Sequence, residues 1–410
     1  MDIDRITFRE SLHFINIIYS TLGYRPLNEF SYGPWLTRMK NNWIFFVVYI
    51  WGILVALGIG YFLVFAMNIW EFLSHGLVTN YFIVAMLKLL IIVINRNGIA
   101  EIIQQFEMLW PKKVNSAIQK ETVENYMITN TKWMSFYANL SVTCFLFTNT
   151  NPIILLIYEK LMGEDAKLTQ PFHAWLPFDQ ETPLVYPFVY VYLFYGSHVA
   201  SASQICYDSL FCMLLSHLSM QYKLLGDDLK EVVHVGENIQ DVNVAESEQR
   251  IIECIKRHQM LMEIRDKISF IFTDIIFINF ITSTFNICII GFLLITQGGL
   301  GRIRLFLMLM TLITQIFLLC WFGQELVENS RAVSDAAYEC KWYASSQKFR
   351  KIILYLIHHS QVPQMLVAWK FWDISIASFT SLISAAWSYF ALLNTIYGDM
   401  DINPEGGLLS

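Results

Sequence analysis

The chain has 410 residues, of which 55% are hydrophobic and only 15% are charged, and its mean hydropathy is +0.44. A typical soluble protein is about 25% charged, so this composition excludes an ordinary soluble protein. The charges fall in clusters between long uncharged runs, which indicates a chain that crosses a membrane several times. The net charge of -6 excludes a nucleic-acid binder, which needs a basic face.

Seven stretches are apolar enough to cross a bilayer as helices of about 20 residues. In chain order they are 43–67, 76–94, 133–157, 187–213, 268–296, 305–322 and 371–396. The second stretch is interrupted by Lys88. The sixth stretch is short, but flanking residues can extend it and the helix can tilt. The sequence therefore predicts an all-α membrane protein with seven transmembrane helices.

The positive charges predict the orientation, because cytosolic flanks keep Lys and Arg and translocated flanks lose them. With the amino terminus inside, the inner segments carry 22 of the 28 Lys and Arg residues and the outer segments carry 4. We expect a cytosolic amino-terminal segment at 1–42, spans one to four in 43–216, cytosolic helical extensions at 217–267, spans five and six in 268–326, cytosolic anchor helices at 327–364, a seventh helix at 371–396 and an extracellular tail at 397–410. This orientation is the inverse of that of G-protein-coupled receptors.

The loops carry two further predictions. The outer loop at 158–186 combines prolines with Phe172, Trp175 and Phe178, so we expect it to fold back as a lid over the outer face. The inner segments place apolar residues at helical spacing, which predicts long amphipathic cytosolic helices. Such helices either pack within one subunit or form an anchor bundle that joins subunits, and the periodicity favours neither.

Small polar residues and one leucine share a face of the seventh span, and an isoleucine follows one turn later. They are Ser381, Ser384, Ser388, Leu392, Thr395 and Ile396. Such a stripe allows close helix packing, but copies of it around an axis would form rings of hydroxyls closed by an apolar ring, which gates a pore by dewetting. Acidic residues Asp399, Asp401 and Glu405 follow, which would concentrate cations at the mouth. The pattern indicates a cation channel, provided that the chain oligomerises.

The carboxyl-terminal part contains an ordered set of motifs. They are Gly323-Gln324-Glu325-Leu326, Asp335-Ala336-Ala337-Tyr338, Trp342-Tyr343, Ser360-Gln361 and Ser388-Tyr389-Phe390. In this order, and with Asp208-Ser209-Leu210-Phe211 in the fourth span, the chain closely resembles insect odorant receptors. The likeness covers nearly the whole chain.

The resemblance implies an odorant-gated, nonselective cation channel in the plasma membrane of olfactory sensory neuron dendrites. In that family four subunits surround a central pore with their seventh helices, and cytosolic helices anchor the subunits to one another. The co-receptor carries a long insertion in its second inner loop, which 217–267 lacks, so this chain resembles an odour-tuning subunit that forms a heterotetramer with co-receptor subunits. The gate then falls on Leu392 and Ile396 with Thr395 between them, and Ser388 departs from the threonine that often precedes Tyr-Phe.

The family places a small volatile odorant or pheromone in the outer half of the bundle, between spans two, three, four and six. The candidate residues there are Tyr81, Phe82, Met86, Phe136, Tyr137, Ser141, Tyr195, Val199, Ser203, Phe306 and Met310. An aromatic side chain at such a position is more often core packing than a ligand contact. These stretches hold no charged group placed for a ligand, since Lys88 lies deeper, which favours esters, alcohols, aldehydes or terpenoids over amines or acids.

Other classes of protein have weaker support. No group of His, Cys and carboxylates has metal-ligand spacing, and no nucleophile lies beside a base, so we expect no enzyme, metal or cofactor. A seven-span secondary transporter is the alternative, but the two halves show no inverted repeat. A metabotropic chemoreceptor is a third class, which the orientation disfavours.

Overall fold

The protein is described from a computed structural model. The residues described are 12–22, 43–65, 69–110, 117–162, 168–176, 178–180, 182–233, 244–296, 298–369 and 371–397. The predicted acidic tail at 397–410 therefore lies, apart from its first residue, outside the described residues.

Helices make up nearly all of the described chain. In order the elements are α1 (His13–Thr21), α2 (Trp43–Val64), α3 (Ile69–Ile94), α4 (Arg96–Leu109), α5 (Ala117–Met162), α6 (Tyr186–Lys230), α7 (Val244–Thr296), α8 (Gly299–Glu339), a short 3-10 helix (Trp342–Ala344), α9 (Gln347–Ser360), β1 (Val367–Ala368), β2 (Trp372–Asp373) and α10 (Ile376–Tyr397). The prediction of an all-α fold is confirmed. The antiparallel pair of β1 and β2, two residues each, was not predicted.

Six of the described helices are long and apolar enough to cross a membrane, namely α3, α5, α6, α7, α8 and α10. The first predicted span falls on α2, whose shorter apolar segment is Tyr49–Tyr61. Helices α5 to α8 contain 46, 45, 53 and 41 residues. At 1.5 Å per residue they are about 60 to 80 Å long, roughly twice the hydrocarbon thickness of a bilayer. The sixth span, short by its hydropathy, is thus part of a helix that extends well past it.

Helix α6 lies at the centre of the bundle, and α3, α5, α7 and α8 pack around it. Every side chain of α6 from 202 to 222 is buried. Small residues in this stretch let neighbouring helices approach closely, while Tyr207 and Phe211 pack against Phe272 of α7 at ring-centroid distances of 5.3 and 5.5 Å. The polar residues of α6 therefore need partners within the bundle.

The described part of the outer loop, here called the lid segment (168–176, 178–180 and 182–185), packs against α2 and α3. The Trp175 backbone N–H donates to the Gly58 carbonyl at 2.8 Å. A Cβ at Gly58 would lie 2.9 Å from the Trp175 carbonyl oxygen, so this approach requires glycine. The Trp175 ring stacks on Tyr61 at 4.8 Å, and Phe172 meets Phe82 edge-on at 5.4 Å. These contacts hold the loop against the end of the bundle, which we call the outer end.

Short elements pack at the opposite, inner end. Helix α1, which was not predicted from the sequence, buries Ile15 and Tyr19, and its flanking residues Leu12 and Leu22 continue this set at helical spacing. It packs against α6. The inner parts of α6, α7 and α8 are continuous with the membrane-crossing parts, as the apolar spacing in 217–267 and 327–364 predicts.

Helix α10 lies at the edge of the bundle, against α7 and α8. Just before it, the Ile374 N–H donates to the Leu366 carbonyl at 3.0 Å, which extends the β1–β2 turn. Gly323 of α8 lies directly beneath the Ile374 carbonyl, where a Cβ would collide with backbone. The start of α10 is therefore held tightly on α8.

Candidate ligand site and candidate pore helix

A fully buried ion pair lies in the middle of the bundle. Lys88 Nζ of α3 is 2.7 Å from Asp208 Oδ1 of α6, and the two side chains are 0% and 3% exposed. Burying either charge alone would cost several kcal/mol, so each residue requires the other. From the sequence, Lys88 is expected to lie deep in its span, snorkelled or paired, but its partner Asp208 is not identified.

Two further side chains complete the coordination of the Asp208 carboxylate. Its Oδ2 accepts hydrogen bonds from Tyr137 Oη of α5 at 2.9 Å and from Gln315 Nε2 of α8 at 2.6 Å. Gln315 Nε2 also lies 3.5 Å from Gln204 Oε1. We call these five residues (Lys88, Tyr137, Gln204, Asp208 and Gln315) the polar floor. It joins the four helices that carry predicted spans two, three, four and six.

Several predicted ligand residues lie around this floor. Tyr81 Oη is 3.1 Å from Ser201 Oγ, which links α3 to α6. Ser141 and Ser203 are buried, and each donates its hydroxyl proton to a carbonyl of its own helix, at 2.8 and 2.6 Å. Val199 is also buried, one turn before Ser203. Tyr81, Tyr137 and Ser141 share helix faces with the polar floor, whereas Val199 and Ser203 are nine and five residues before Asp208 and lie on the other side of α6.

The other predicted ligand residues are not brought together with these. Phe136 and Phe306 are 53% and 49% exposed on the outside of the chain. Phe82 contacts the lid segment, and Met86 fills the space beside Gly52 of α2. Two residues lie between these extremes: Tyr195 is half-buried against Trp51 at 5.3 Å, and Met310 is half-buried on α8.

Gln204 and Gln315, the amides of the polar floor, are not among the ligand residues predicted from the sequence. A usable signal was present, because Gln315 is the only amide of the sixth span, Lys88 the only charged residue of the second and Asp208 the only charged residue of the fourth. Polar groups this costly in a membrane are expected to meet. What the sequence lacked was the depth of each residue.

The predicted stripe of α10 points away from the rest of the chain. All six of its residues (Ser381, Ser384, Ser388, Leu392, Thr395 and Ile396) are exposed, Leu392 by 56% and Ile396 by 51%. The opposite face of the helix is buried through Ser378, Leu382 and Ala386. Part of that packing is aromatic, with Phe379 against Phe317 of α8 at 5.6 Å.

Three of the four hydroxyls of the stripe are bonded within α10. Ser381, Ser388 and Thr395 donate to the carbonyls of Ala377, Ser384 and Ala391 at 3.0, 3.0 and 2.9 Å. Each hydroxyl oxygen keeps lone pairs free to accept from water. This face is thus chemically suited to line a wet path, with Leu392 and Ile396 as its apolar end.

Polar contacts also tie the inner ends of α7 and α9 together. Ser346 accepts from the Phe349 N–H at 3.1 Å as the N-cap of α9 and donates to Glu248 of α7 at 2.6 Å. Lys348 Nζ pairs with the same carboxylate at 2.8 Å. The hydrogen bonds from Lys348 and Ser346 lower the pKa of Glu248 below its usual value. Glu248 thus orients the Ser346 hydroxyl that caps α9.

Comparisons with known proteins agree with this architecture. The model of the family described as 7tm Odorant receptor matches residues 68–387. Odorant receptor 85c of Drosophila melanogaster is 27% identical over 365 residues, covering 85% of this chain and 88% of that protein. Odorant receptor 85b of the same species is 25% identical over 403 residues, covering 94% and 98%.

A solved structure shows the same fold. The insect olfactory receptor OR5 from Machilis hrabei, in complex with eugenol, superposes with a TM-score of 0.81 at 17% sequence identity, covering 95% of this chain and 98% of that one. A second structure of OR5 from Machilis hrabei superposes with a TM-score of 0.77 at 18% identity, with the same coverage.

Proposed function

Because the chain belongs to the seven-transmembrane odorant receptor family, we propose that it is the odour-tuning subunit of an odorant-gated, nonselective cation channel. In this proposal it forms a heterotetramer with co-receptor subunits in the plasma membrane of olfactory sensory neuron dendrites. A small volatile odorant or pheromone binds within each tuning subunit, and cations pass through a pore between subunits.

The observation that carries the channel proposal is the orientation of the stripe on α10. A polar face that only filled a gap between helices of one chain would be buried against them. Here the opposite face is buried and the stripe is exposed, with three of its four hydroxyls already bonded within the helix. Rings formed by four such helices would be wettable up to Leu392 and Ile396, where an apolar constriction excludes water.

We propose that the odorant binds above the polar floor. OR5 from Machilis hrabei was solved with eugenol, and this chain shares its fold. Of the predicted ligand residues, Tyr81, Tyr137 and Ser141 share helix faces with the floor and would line this site, whereas Tyr195, Val199, Ser203 and Met310 lie on other faces of α6 and α8. The closed network of the floor ends the site toward the inner side, and the lid segment covers the outer end.

The proposed orientation places the lid segment outside the cell and the long inner extensions of α6 to α8 in the cytosol, where they form the anchor bundle. The 22 Lys and Arg residues of the inner segments support this orientation. An epitope fused before Met1 should then be inaccessible to antibody on intact cells and accessible after permeabilisation. Labelling of intact cells would contradict the orientation.

The channel proposal is tested by patch-clamp recording from cells that express this chain together with the co-receptor, with G-protein signalling blocked. A volatile odorant panel should evoke a cation current that starts without a second-messenger delay, and cells with the co-receptor alone should not respond to the same compounds. A response that disappears when G proteins are blocked would contradict the proposal.

A further inference from the structure

A cation lies at the outer end of the candidate ligand site. Arg304 is in the second turn of α8, on the same helix face as Met308, Thr311 and Gln315, from which it is separated by 4, 7 and 11 residues. Eleven residues correspond to about 16 Å along a helix axis. Arg304 is thus at one end of a row of α8 side chains whose other end is Gln315 of the polar floor.

The guanidinium of Arg304 is directed into the bundle. It interacts electrostatically with Cys144 of α5. Cys144 in turn contacts Thr311, one turn closer to the floor on α8. An arginine that reached out to the bilayer surface would lie away from these groups. The side chain nevertheless keeps partial solvent access, so a ligand atom can approach it.

The charge of Arg304 is not balanced by the groups around it. The charge of Lys88 is cancelled by Asp208, so the floor is neutral overall. Within the part of the chain that the structure describes, Arg304 takes part in none of the ion pairs. The region between floor and outer end therefore carries an excess of one positive charge, in surroundings where a charge interacts strongly.

We infer that Arg304 recognises an anion and that the ligand site takes a carboxylic acid, with its carboxylate on the guanidinium and its apolar remainder toward the polar floor. The inference rests on the ligand site proposed above and names the chemical class that it admits. A guanidinium matches a carboxylate with two parallel hydrogen bonds. An ester retains an acceptor oxygen but no charge, and an ammonium is repelled. This reverses the sequence-based expectation that acids are disfavoured, because that expectation assigned Arg304 to an outer loop.

The test compares octanoic acid, methyl octanoate and octylamine, and likewise phenylacetic acid, its methyl ester and phenethylamine, on cells that express this chain with the co-receptor. In at least one series the acid should be at least about tenfold more potent than its ester, and the amine should be inactive. Arg304→Gln should weaken the acid by about tenfold and leave the ester unchanged, while Arg304→Lys should retain part of the preference. Arg302→Gln is the matched control, since Arg302 is exposed on the same helix.

A second readout separates this inference from the channel proposal. The purified full-length chain in nanodiscs is melted with each compound, and the acid should raise the melting temperature of the wild type more than that of Arg304→Gln. That result without any current would support the acid site and contradict the channel. Equal stabilisation by acid and ester, or an acid preference that survives Arg304→Gln, would overturn the inference. An acid preference that survives Arg304→Gln is also the result expected if the guanidinium binds a lipid phosphate instead of the ligand.

Discussion

Helices α6 and α10 both cross the membrane and both carry polar residues, but the two helices satisfy those groups in different ways. On α6, Asp208 takes its partners from three other helices, α3, α5 and α8. On α10, Ser381, Ser388 and Thr395 bond only to carbonyls of their own helix. Polar groups that need partners on other helices hold the bundle together, whereas groups that are satisfied locally leave their face free for water.

The same contrast applies to burial. Helix α6 is enclosed on all sides between 202 and 222, so a change there creates a cavity or an unpaired charge. Helix α10 is enclosed on one side, so the two faces of this helix should respond differently to substitution. Three predictions test this contrast.

The largest effect is expected for Asp208→Ala. This change leaves the buried Lys88 ammonium without a counter-charge and removes the acceptor for Tyr137 and Gln315. Breaking one side of a buried pair costs about 3 to 5 kcal/mol, so we expect a large loss of surface expression and of melting temperature. Surface biotinylation and thermal unfolding of the purified chain provide the measurement.

A double variant distinguishes the ion pair from mere packing. Replacing both charges, as Lys88→Met with Asp208→Leu, removes the unpaired charge and should restore part of the lost stability. Asp335→Asn, at an exposed position, serves as control and should behave like the wild type. If Asp208→Ala expressed and melted normally, the polar floor would have no structural role.

The two faces of α10 give the next largest difference. Leu382 is 0% exposed, so Leu382→Ala should cost about 2 to 5 kcal/mol by opening a cavity. Leu392 is 56% exposed, and Leu392→Ala should leave the stability of the chain within about 0.5 kcal/mol. If Leu392 forms the gate, the same change should raise the basal leak current. An unchanged leak with normal surface expression would remove Leu392 from the gate, and equal destabilisation by both variants would contradict the two-faced description.

Much of this fold was predictable because hydrophobic runs and helical periodicity are local properties of the sequence. The extensions of α6 and α7 followed from apolar spacing alone, and α1 has the same kind of signal in Leu12, Ile15 and Tyr19. The β1–β2 turn, in contrast, depends on a contact between Leu366 and Ile374 that no local pattern announces.

The site was less predictable, because contacts across a bundle depend on the rotation and depth of each helix. Phe136 and Tyr137 are adjacent aromatic residues in the same span, yet Phe136 is 53% exposed and Tyr137 is 3% exposed and bonded to Asp208. Depth matters at Arg304, because the predicted spans leave residues 297–304 as an outer loop whereas Arg304 lies within helix α8. Composition identified the spans but not the faces that meet.

The smallest of the three effects concerns the contact between Gly323 of α8 and the backbone at Ile374, which holds the start of α10 on the bundle. Gly323→Ala would drive a Cβ into the Ile374 carbonyl, and backbone cannot move aside as a flexible side chain does. Overpacking of this kind costs about 1 to 3 kcal/mol, and it should loosen the start of α10 while α6 keeps its packing. Gly226→Ala is the matched control, because its Cβ would make an ordinary contact of 3.6 Å with Ala336 and should be neutral or stabilising. Hydrogen exchange of the two helices measures the difference. Faster exchange in α10 alone would show that the regions are held together at Gly323, whereas equal exchange in both variants would show that α10 is held by its side-chain contacts with α7 and α8.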